Sequence, residues 1–243
     1  MKNHLGAIAI AFAIIISCIL LGRAWNYRYK SQETISVTGL STINFSSDLI
    51  VWNGSYSRKS LDLKTAYSEL KADEQHLRTY LIAKGLNEKE IVFSSIQIDK
   101  QFSYRYNQDG QQIGQDFTGY NLTQQVKVES KNINKVEEIS RQVTELIEQG
   151  IEFYSSEPSY YYTKLADLKL DLLAKASADA RKRAETIATN SGSSIAGVRK
   201  ATMGVFQITG QNSNEDYSYG GAFNTESREK TASITIRMEF QAD

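Results

Sequence analysis

Residues 163–192 form the longest amphipathic stretch of the sequence, and this stretch limits what the rest of the chain can fold into. Its apolar residues recur every three or four positions, which predicts an α-helix that buries one stripe. In the second half of the stripe alanine replaces leucine, so we expect that half to lie tightly against a sheet or another helix. The stripe consists of Leu165, Leu168, Leu172, Ala176, Ala180, Ala184 and Ile187.

The other elements are predicted from alternating and helical spacings. Residues 34–57 predict an antiparallel hairpin broken at Ser46-Ser47-Asp48, and residues 91–106 and 117–130 predict a second, longer hairpin. Helices are predicted at 61–84, from Asn132 to Gly150 and at 163–192, with further strands at 151–155, 198–208 and 231–240. The order ββ-α-ββ-α-β-α-ββ predicts an α+β fold in which helices cover one face of antiparallel sheets. Whether it contains two related halves stays open.

An uncharged apolar run at residues 5–22 follows a short positive N-terminus. At about 1.5 Å per residue it nearly spans a hydrocarbon core of about 30 Å, so we predict an N-terminal transmembrane helix. Residues 1–30 are therefore interpreted as an anchor or signal segment, and residues 31–243 as one domain. An uncleaved anchor is favoured, but a cleaved signal peptide and a lipoprotein with a lipidated Cys18 are alternatives.

Charge and residue usage exclude several classes of function. The chain has equal numbers of acidic and basic residues, but its first 30 residues carry four positive charges, which leaves the domain mildly acidic. A general nucleic-acid binder would be basic, so no nucleic-acid partner is expected. Cys18 is the only cysteine, and His4 and His76 are the only histidines. We therefore predict no catalytic residue, no metal site and no cofactor.

Charged residues on the long helix are interpreted as helix support. Asp179 with Arg183, and Arg181 with Glu185, are four residues apart, where opposite charges stabilise a helix by about 0.2–0.5 kcal/mol per pair. The alternative is a partner or anion site at this basic cluster.

Two aromatic clusters are the candidate partner-binding residues. One lies beside Pro158, and the other lies in a polar, glycine-rich insertion at residues 210–230. Aromatic residues of this kind are enriched in protein interfaces, although they also pack locally over cores. The candidates are Tyr160, Tyr161, Tyr162, Tyr217, Tyr219 and Phe223.

Five short segments in order resemble the SIMPL-domain family, over roughly residues 34–241. At the first predicted turn, where family members usually carry a proline and an aspartate, this chain has only Asp48. The segments are ISVTG at 35–39, KGLNEKEI at 84–91, TGY at 118–120 leading into 124–128, ADARKRAE at 178–185, and the strand at 231–240.

The resemblance implies an extracytoplasmic domain, in some bacterial members a ring- or channel-like homo-oligomer, with no established catalytic chemistry. We therefore expect a non-enzymatic, membrane-anchored envelope protein, located in the periplasm or outside the cell, that acts by protein–protein association and self-associates. The alternative is an envelope sensor, or a module that binds a small molecule or glycan through its Tyr-rich loops.

Overall fold

The computed structural model describes residues 12–23, 25 and 33–242. Residues 33–242 fold into two antiparallel sheets and three α-helices. The strands are β1 (Thr34–Ser46), β2 (Leu49–Ser60), β3 (Ile91–Phe93), β4 (Gln97–Tyr106), β5 (Gln112–Ser130), β6 (Phe153–Ser155), β7 (Ser159–Tyr161), β8 (Ile195–Met203), β9 (Gln207–Gly210) and β10 (Glu229–Ala242). The helices are α1 (Leu63–Ala83), α2 (Ile133–Gln142) and α3 (Leu165–Asn190), with 3₁₀ turns at Glu88–Glu90 and Val143–Gln149. The predicted α+β class with antiparallel sheets is confirmed.

The predicted membrane segment falls only partly within the described residues. Residues 12–23 are helical, and residues 5–11 lie outside the described part of the chain. Among the helices that the structure describes, none is both long enough and apolar enough to cross a membrane.

Each sheet is covered by its own helix or helices and has its own hydrophobic core. In the first sheet β10 lies between β1 and β8, and β9 also pairs with β10. In the second sheet the order is β3-β5-β2-β6, with β4 added to β5 and β7 added to β2. The helix α3 covers the first sheet, whereas α1 and α2 cover the second.

The predicted hairpin of β1 with β2 is wrong, because the two strands belong to different sheets. β1 pairs with β10 along its whole length, and β2 pairs with β5. The turn between them is held from outside, since the Ser47 N–H donates to the Arg228 carbonyl and the Asp48 N–H to the Tyr161 carbonyl, both at 3.0 Å. Local alternation predicted the two strands correctly but carried no information about their partners.

Two strands predicted as continuous are each divided. The predicted strand 91–106 becomes β3 and β4, because Ser94 forms its own hydrogen bonds: its N–H donates to the Gln125 carbonyl, and its Oγ accepts from the Gln125 N–H. The predicted strand 198–208 becomes β8 and β9. Between them the Gly204 N–H donates to the Thr235 carbonyl at 2.8 Å.

The second sheet packs against apolar residues of α1 and α2. Trp52 and Tyr56 of β2 are essentially inaccessible, and the α2 residues pack with them. Gly150 adopts a left-handed conformation with φ 78°, which ends the turn as predicted. The apolar residues spaced three or four apart along α2 and the following turn are all buried: Ile133, Val136, Ile139, Val143 and Leu146.

The helix α3 differs from its prediction at both ends. It begins at Leu165, because Thr163 uses its N–H and its hydroxyl to bond the Asp48 carboxylate, each at 2.7 Å. At the far end Ala188 is buried and Ile187 is 48% exposed, because the buried stripe continues in steps of four. The buried residues are Leu168, Leu172, Ala176, Ala180, Ala184 and Ala188.

The alanine half of α3 lies against β1 at very close range, as the small side chains predicted. A Cβ added at Gly39 would lie 2.6 Å from the Ala180 nitrogen and 2.8 Å from the Ala180 Cβ, and closer still to the Ala176 carbonyl oxygen. The Asp179 carboxylate accepts the Leu40 N–H at 2.9 Å, so the helix also contacts the free edge of β1.

The predicted ion pairs on α3 are confirmed. Arg181 bonds Glu185 and Arg183 bonds Asp179, each at 2.8 Å and on the exposed side of the helix. Asp179 therefore has two roles. Its carboxylate accepts a hydrogen bond from Arg183 on the same helix and another from the Leu40 N–H of β1.

Replacing Gly39 with alanine should destabilise the protein, because the added methyl group would meet the helix backbone, which cannot move aside easily. We expect Gly39→Ala to lower the free energy of unfolding by about 2 kcal/mol, as overpacked cores do, measured by urea unfolding. Gly197→Ala in β8 is the matched control, since a Cβ there meets nothing within 4 Å. Equal stability of the two variants would contradict the close contact.

Candidate functional site

The insertion, defined here as residues 211–228, connects β9 to β10 and is held in place by the side chain of Gln207. The Gln207 Oε1 accepts the N–H groups of Ser218 and Ala222 at 3.3 and 2.6 Å, and its Nε2 donates to the Ser218 carbonyl at 2.8 Å. Because Gln207 is itself buried, these bonds fix the middle of the insertion to the edge of the first sheet.

A polar network around Lys230 holds the second half of the insertion. The Lys230 Nζ donates to the Asn224 carbonyl at 2.7 Å and to the Asn224 Oδ1 at 3.1 Å. Asn224 in turn donates through its Nδ2 to Glu215, whose other oxygen accepts the Gly210 N–H at 3.0 Å. Only 2% of Lys230 is exposed, and burial lowers its pKa to about 8, while Glu215 acts in the opposite direction.

The insertion forms a pocket of 430 Å³ over the face of the first sheet that α3 does not cover. Tyr217 and Tyr219 lie in its lining, and the Ser233 hydroxyl donates to the Tyr217 hydroxyl oxygen at 3.4 Å. Both tyrosines are largely exposed, Tyr219 completely. The remaining lining residues are Leu40, Val205, Gln207, Ser218, Ser233, Ile234 and Thr235.

The three consecutive tyrosines lie between the two sheets and are half-buried. The Tyr160 hydroxyl donates to the Glu137 Oε1 at 3.0 Å, and burial together with this carboxylate raises the pKa of Tyr160 to about 12. Tyr161 pairs with Leu49 in the second sheet. The ring of Tyr162 lies 4.9 Å from that of Phe45 in the core of the first sheet, so this segment joins the two cores.

The six predicted partner-binding residues therefore occupy two different places. Tyr217 and Tyr219 line the pocket on the open sheet face. Phe223 lies near Tyr160 and Tyr162, and all three line a narrow void together with Lys230. Tyr161 lies beside this second group in β7 but does not line the void.

A second aromatic surface, absent from the predicted site, lies on the long hairpin of β4 and β5. The arm, defined here as residues 101–119, extends beyond the other strands because β2 ends at Ser60, opposite Tyr120. Gly119 has φ 132° at the base of the arm, where the register shifts by one residue. This bulge marks the point at which the hairpin leaves the sheet as two strands alone.

One face of the arm is aromatic and exposed to solvent. Phe102 and Phe117 face each other with ring centroids 5.8 Å apart, and Phe117 also contacts Tyr120. Tyr104 and Tyr106 continue this face and are 50% and 60% exposed. The alternation of residues 91–106 predicted a strand but not its exposure. The greater length of this hairpin compared with the other predicted strands could have indicated that its end extends beyond the sheet.

The two buried carboxylates on α1, Asp73 and Glu74, are held by local partners. The buried Asp73 is ion-paired with Arg58, with the Nη2 and Oδ1 atoms 2.8 Å apart. Burial acts to raise the pKa of Glu74, but hydrogen bonds from groups that include Lys71 hold it below its ordinary value. His76 is exposed on α1, and the described residues contain no cluster of three or more potential metal ligands.

The fold and these surfaces define a two-sheet α+β domain with exposed aromatic residues in a pocket and on an arm. The chain belongs to the SIMPL family, whose profile, described as a protein of unknown function (DUF541), matches residues 35–241. The resemblance predicted from the five sequence segments is thus confirmed. A comparison with curated proteins found no match.

Lys230 should make stability depend on pH in a defined direction. The folded protein lowers its pKa from 10.5 to about 8, so between these values the unfolded chain binds more protons. The contribution of Lys230 to the free energy of unfolding should therefore rise as pH increases through this window, by about 3 kcal/mol.

The measurement is urea unfolding of the wild type and Lys230→Met at a series of pH values across that window. We expect the methionine variant to lack the rise, and Lys200→Met, at an exposed position of β8, to retain it. Parallel curves for the wild type and Lys230→Met would contradict the lowered pKa.

Proposed function

We propose that this chain is a non-catalytic, membrane-anchored protein of the cell envelope that acts by protein–protein association, in the first place with further copies of itself. The proposal has three parts, namely the anchor, the absence of catalysis and the association. Each part depends on separate observations and can be tested separately.

The anchor is proposed from the sequence. Residues 5–22 are uncharged and apolar, and they begin four residues after the N-terminus. A chain held in this way would present the domain in the periplasm or outside the cell. The mass of the mature N-terminus distinguishes an uncleaved anchor from a cleaved signal peptide or a lipidated Cys18.

A non-catalytic role is supported by the environment of the groups that could do chemistry. Asp73 and Glu74 are engaged in ion pairs inside the second core, and Tyr160 and Glu137 bond each other between the sheets. The domain's mild excess of acidic charge also disfavours nucleic acid as a partner.

Association is the function that the arm supports best. A two-stranded ribbon in water is marginally stable, and an apolar face needs further strands or a helix to cover it. The arm nevertheless exposes Phe102, Tyr104, Tyr106 and Phe117 on one face. Contact with another protein would cover this face, and aromatic residues of this kind dominate the energetics of interfaces.

Self-association should be visible in the size of the full chain in detergent, measured by size-exclusion chromatography with light scattering. We expect more than one copy per particle, and we expect Phe102→Ser combined with Phe117→Ser to shift the particle towards the monomer. Tyr154→Ser is the control, because Tyr154 is 70% exposed but lies in β6, away from the arm. A wild-type chain that remains monomeric at every concentration would contradict the proposal.

The pocket favours a second candidate function, a sensor or binding module for a small molecule or glycan. Its 430 Å³ volume is within the range of small-molecule sites, and two tyrosines border a floor of serine and threonine hydroxyls. Tyrosine rings suit stacking against the apolar face of a sugar, while the hydroxyls suit its polar edge.

A panel of glycans and small metabolites, tested by thermal shift on the full chain, addresses this second candidate. A ligand of the pocket should raise Tm in the wild type, and the effect should be lost in the combined variant Tyr217→Ala and Tyr219→Ala. Tyr154→Ala is the matched control for loss of an exposed tyrosine. A shift that survives in the combined variant would place the ligand elsewhere, and the absence of any shift across the panel would count against a binding module.

A further inference from the structure

In the part of the chain that the structure describes, the outer edge of β4 pairs with no other strand. Among the described strands β4 pairs with β5 alone, over residues 97–106. Both register shifts in this pair place the extra residue on β5, at Thr118 and at Ile113, so β4 itself runs without a bulge. A regular, proline-free edge presents free backbone donors and acceptors and is a template for another strand.

We propose that this edge pairs with the β4 strand of a second copy of the chain, antiparallel and about a twofold axis at Phe102. The inference rests on the proposed self-association and names the surface that carries it. The contact is isologous, so residues Ile98 to Tyr106 of one copy lie opposite the same residues of the other, in reverse order.

The register follows from charge. With Phe102 opposite itself, Asp99 of each copy lies opposite Arg105 of the other, so the twofold axis creates two complementary contacts. Arg105 already bonds Asp116 at 3.0 Å within its own arm, and Asp99 has no ion-pair partner in the described part of the chain. The pairing would place the Arg105 guanidinium between the carboxylate of Asp116 in its own chain and that of Asp99 in the second copy.

The neighbouring registers lack this complementarity. Opposite residues of antiparallel strands point to the same side, so only shifts that keep the aromatic faces together are compatible with one apolar surface. A pairing centred on Gln101 places Asp99 opposite Ser103, and one centred on Ser103 places Asp99 opposite Asn107, so the pair with Arg105 is lost in both. A pairing centred on Lys100 places two like charges opposite each other.

The proposed register also joins the aromatic faces of the two arms. Phe102 would meet its own copy, Ile98 would meet Tyr106, and Lys100 would lie beside Tyr104, where an ammonium group can contact a ring. Two two-stranded arms then become one four-stranded sheet, which exceeds the minimum of three strands that an independently stable sheet needs. The unpartnered arm and the complementary charges therefore point to the same occupant, a second copy.

Charge exchange tests the register on the full chain in detergent, by light scattering across a dilution series. Asp99→Arg alone should raise the dimer dissociation constant about tenfold or more, because it places like charges opposite each other twice. Arg105→Asp, made together with Asp116→Asn so that Asp116 does not face a second carboxylate, should do the same. When the two variants are mixed, every contact again joins a basic and an acidic side chain, so mixed dimers should form.

Asp116→Asn alone is the matched control, and it should leave association unchanged because Asp116 lies on β5 and not on the pairing edge of β4. The outcomes separate the two proposals. A monomeric wild type overturns both. A wild-type oligomer that tolerates Asp99→Arg, or a mixture that fails to associate although circular dichroism shows both variants folded, overturns only the β4 pairing.

A cysteine pair gives a second, independent readout in native membranes. In a Cys18→Ser background, Phe102→Cys should form an intersubunit disulfide on mild oxidation, because directly opposite residues lie within disulfide range. Tyr104→Cys should not, since the two copies of that position would lie about 13 Å apart along the strands. Equal crosslinking at the two positions would overturn the register.

Discussion

The two-sheet architecture depends on how the chain turns between β1 and β2. These strands leave one short turn in different sheets, and the Asp48 carboxylate fixes the turn by accepting the N–H and the hydroxyl of Thr163. The same contact determines where α3 begins, and hence which of its residues meet β1. A single carboxylate thereby links the path of the first sheet, the start of the long helix and the tyrosine segment between the two cores.

Much of the fold could be predicted from the sequence where one face of an element is buried against one partner. The helical stripe from Ile133 to Leu146 and the alternation of β10 are of this kind, because burial follows directly from periodicity. Strand partners could not be predicted, since the alternation in β1 and β2 is compatible with a hairpin or with two sheets. Ile187 was misplaced because the buried stripe continues in a step of four to Ala188, which lies about 100° further round the helix.

The candidate surfaces were only partly accessible to the same reasoning. Aromatic clustering identified Tyr217 and Tyr219, but it could not separate them from Tyr160 and Tyr162, which the fold uses to join its two cores. The arm was missed for the opposite reason, because its alternation resembles that of an ordinary half-buried strand. Exposure there results from the absence of a third strand beyond Ser60, which is a property of the sheet and not of the segment.

The contact between Asp179 and the Leu40 N–H bears on how large an assembly can grow. The first sheet ends at β1, and a helix side chain occupies a backbone donor on that edge, whereas the edge of β4 is open. If β4 pairs with its own copy, the open edge is consumed on both sides and growth by strand addition at that edge ends at two chains. Addition of strands at β1 is hindered by Asp179 and addition at β4 would end with the dimer, so any larger assembly would have to use another edge, such as that of β8, or another surface.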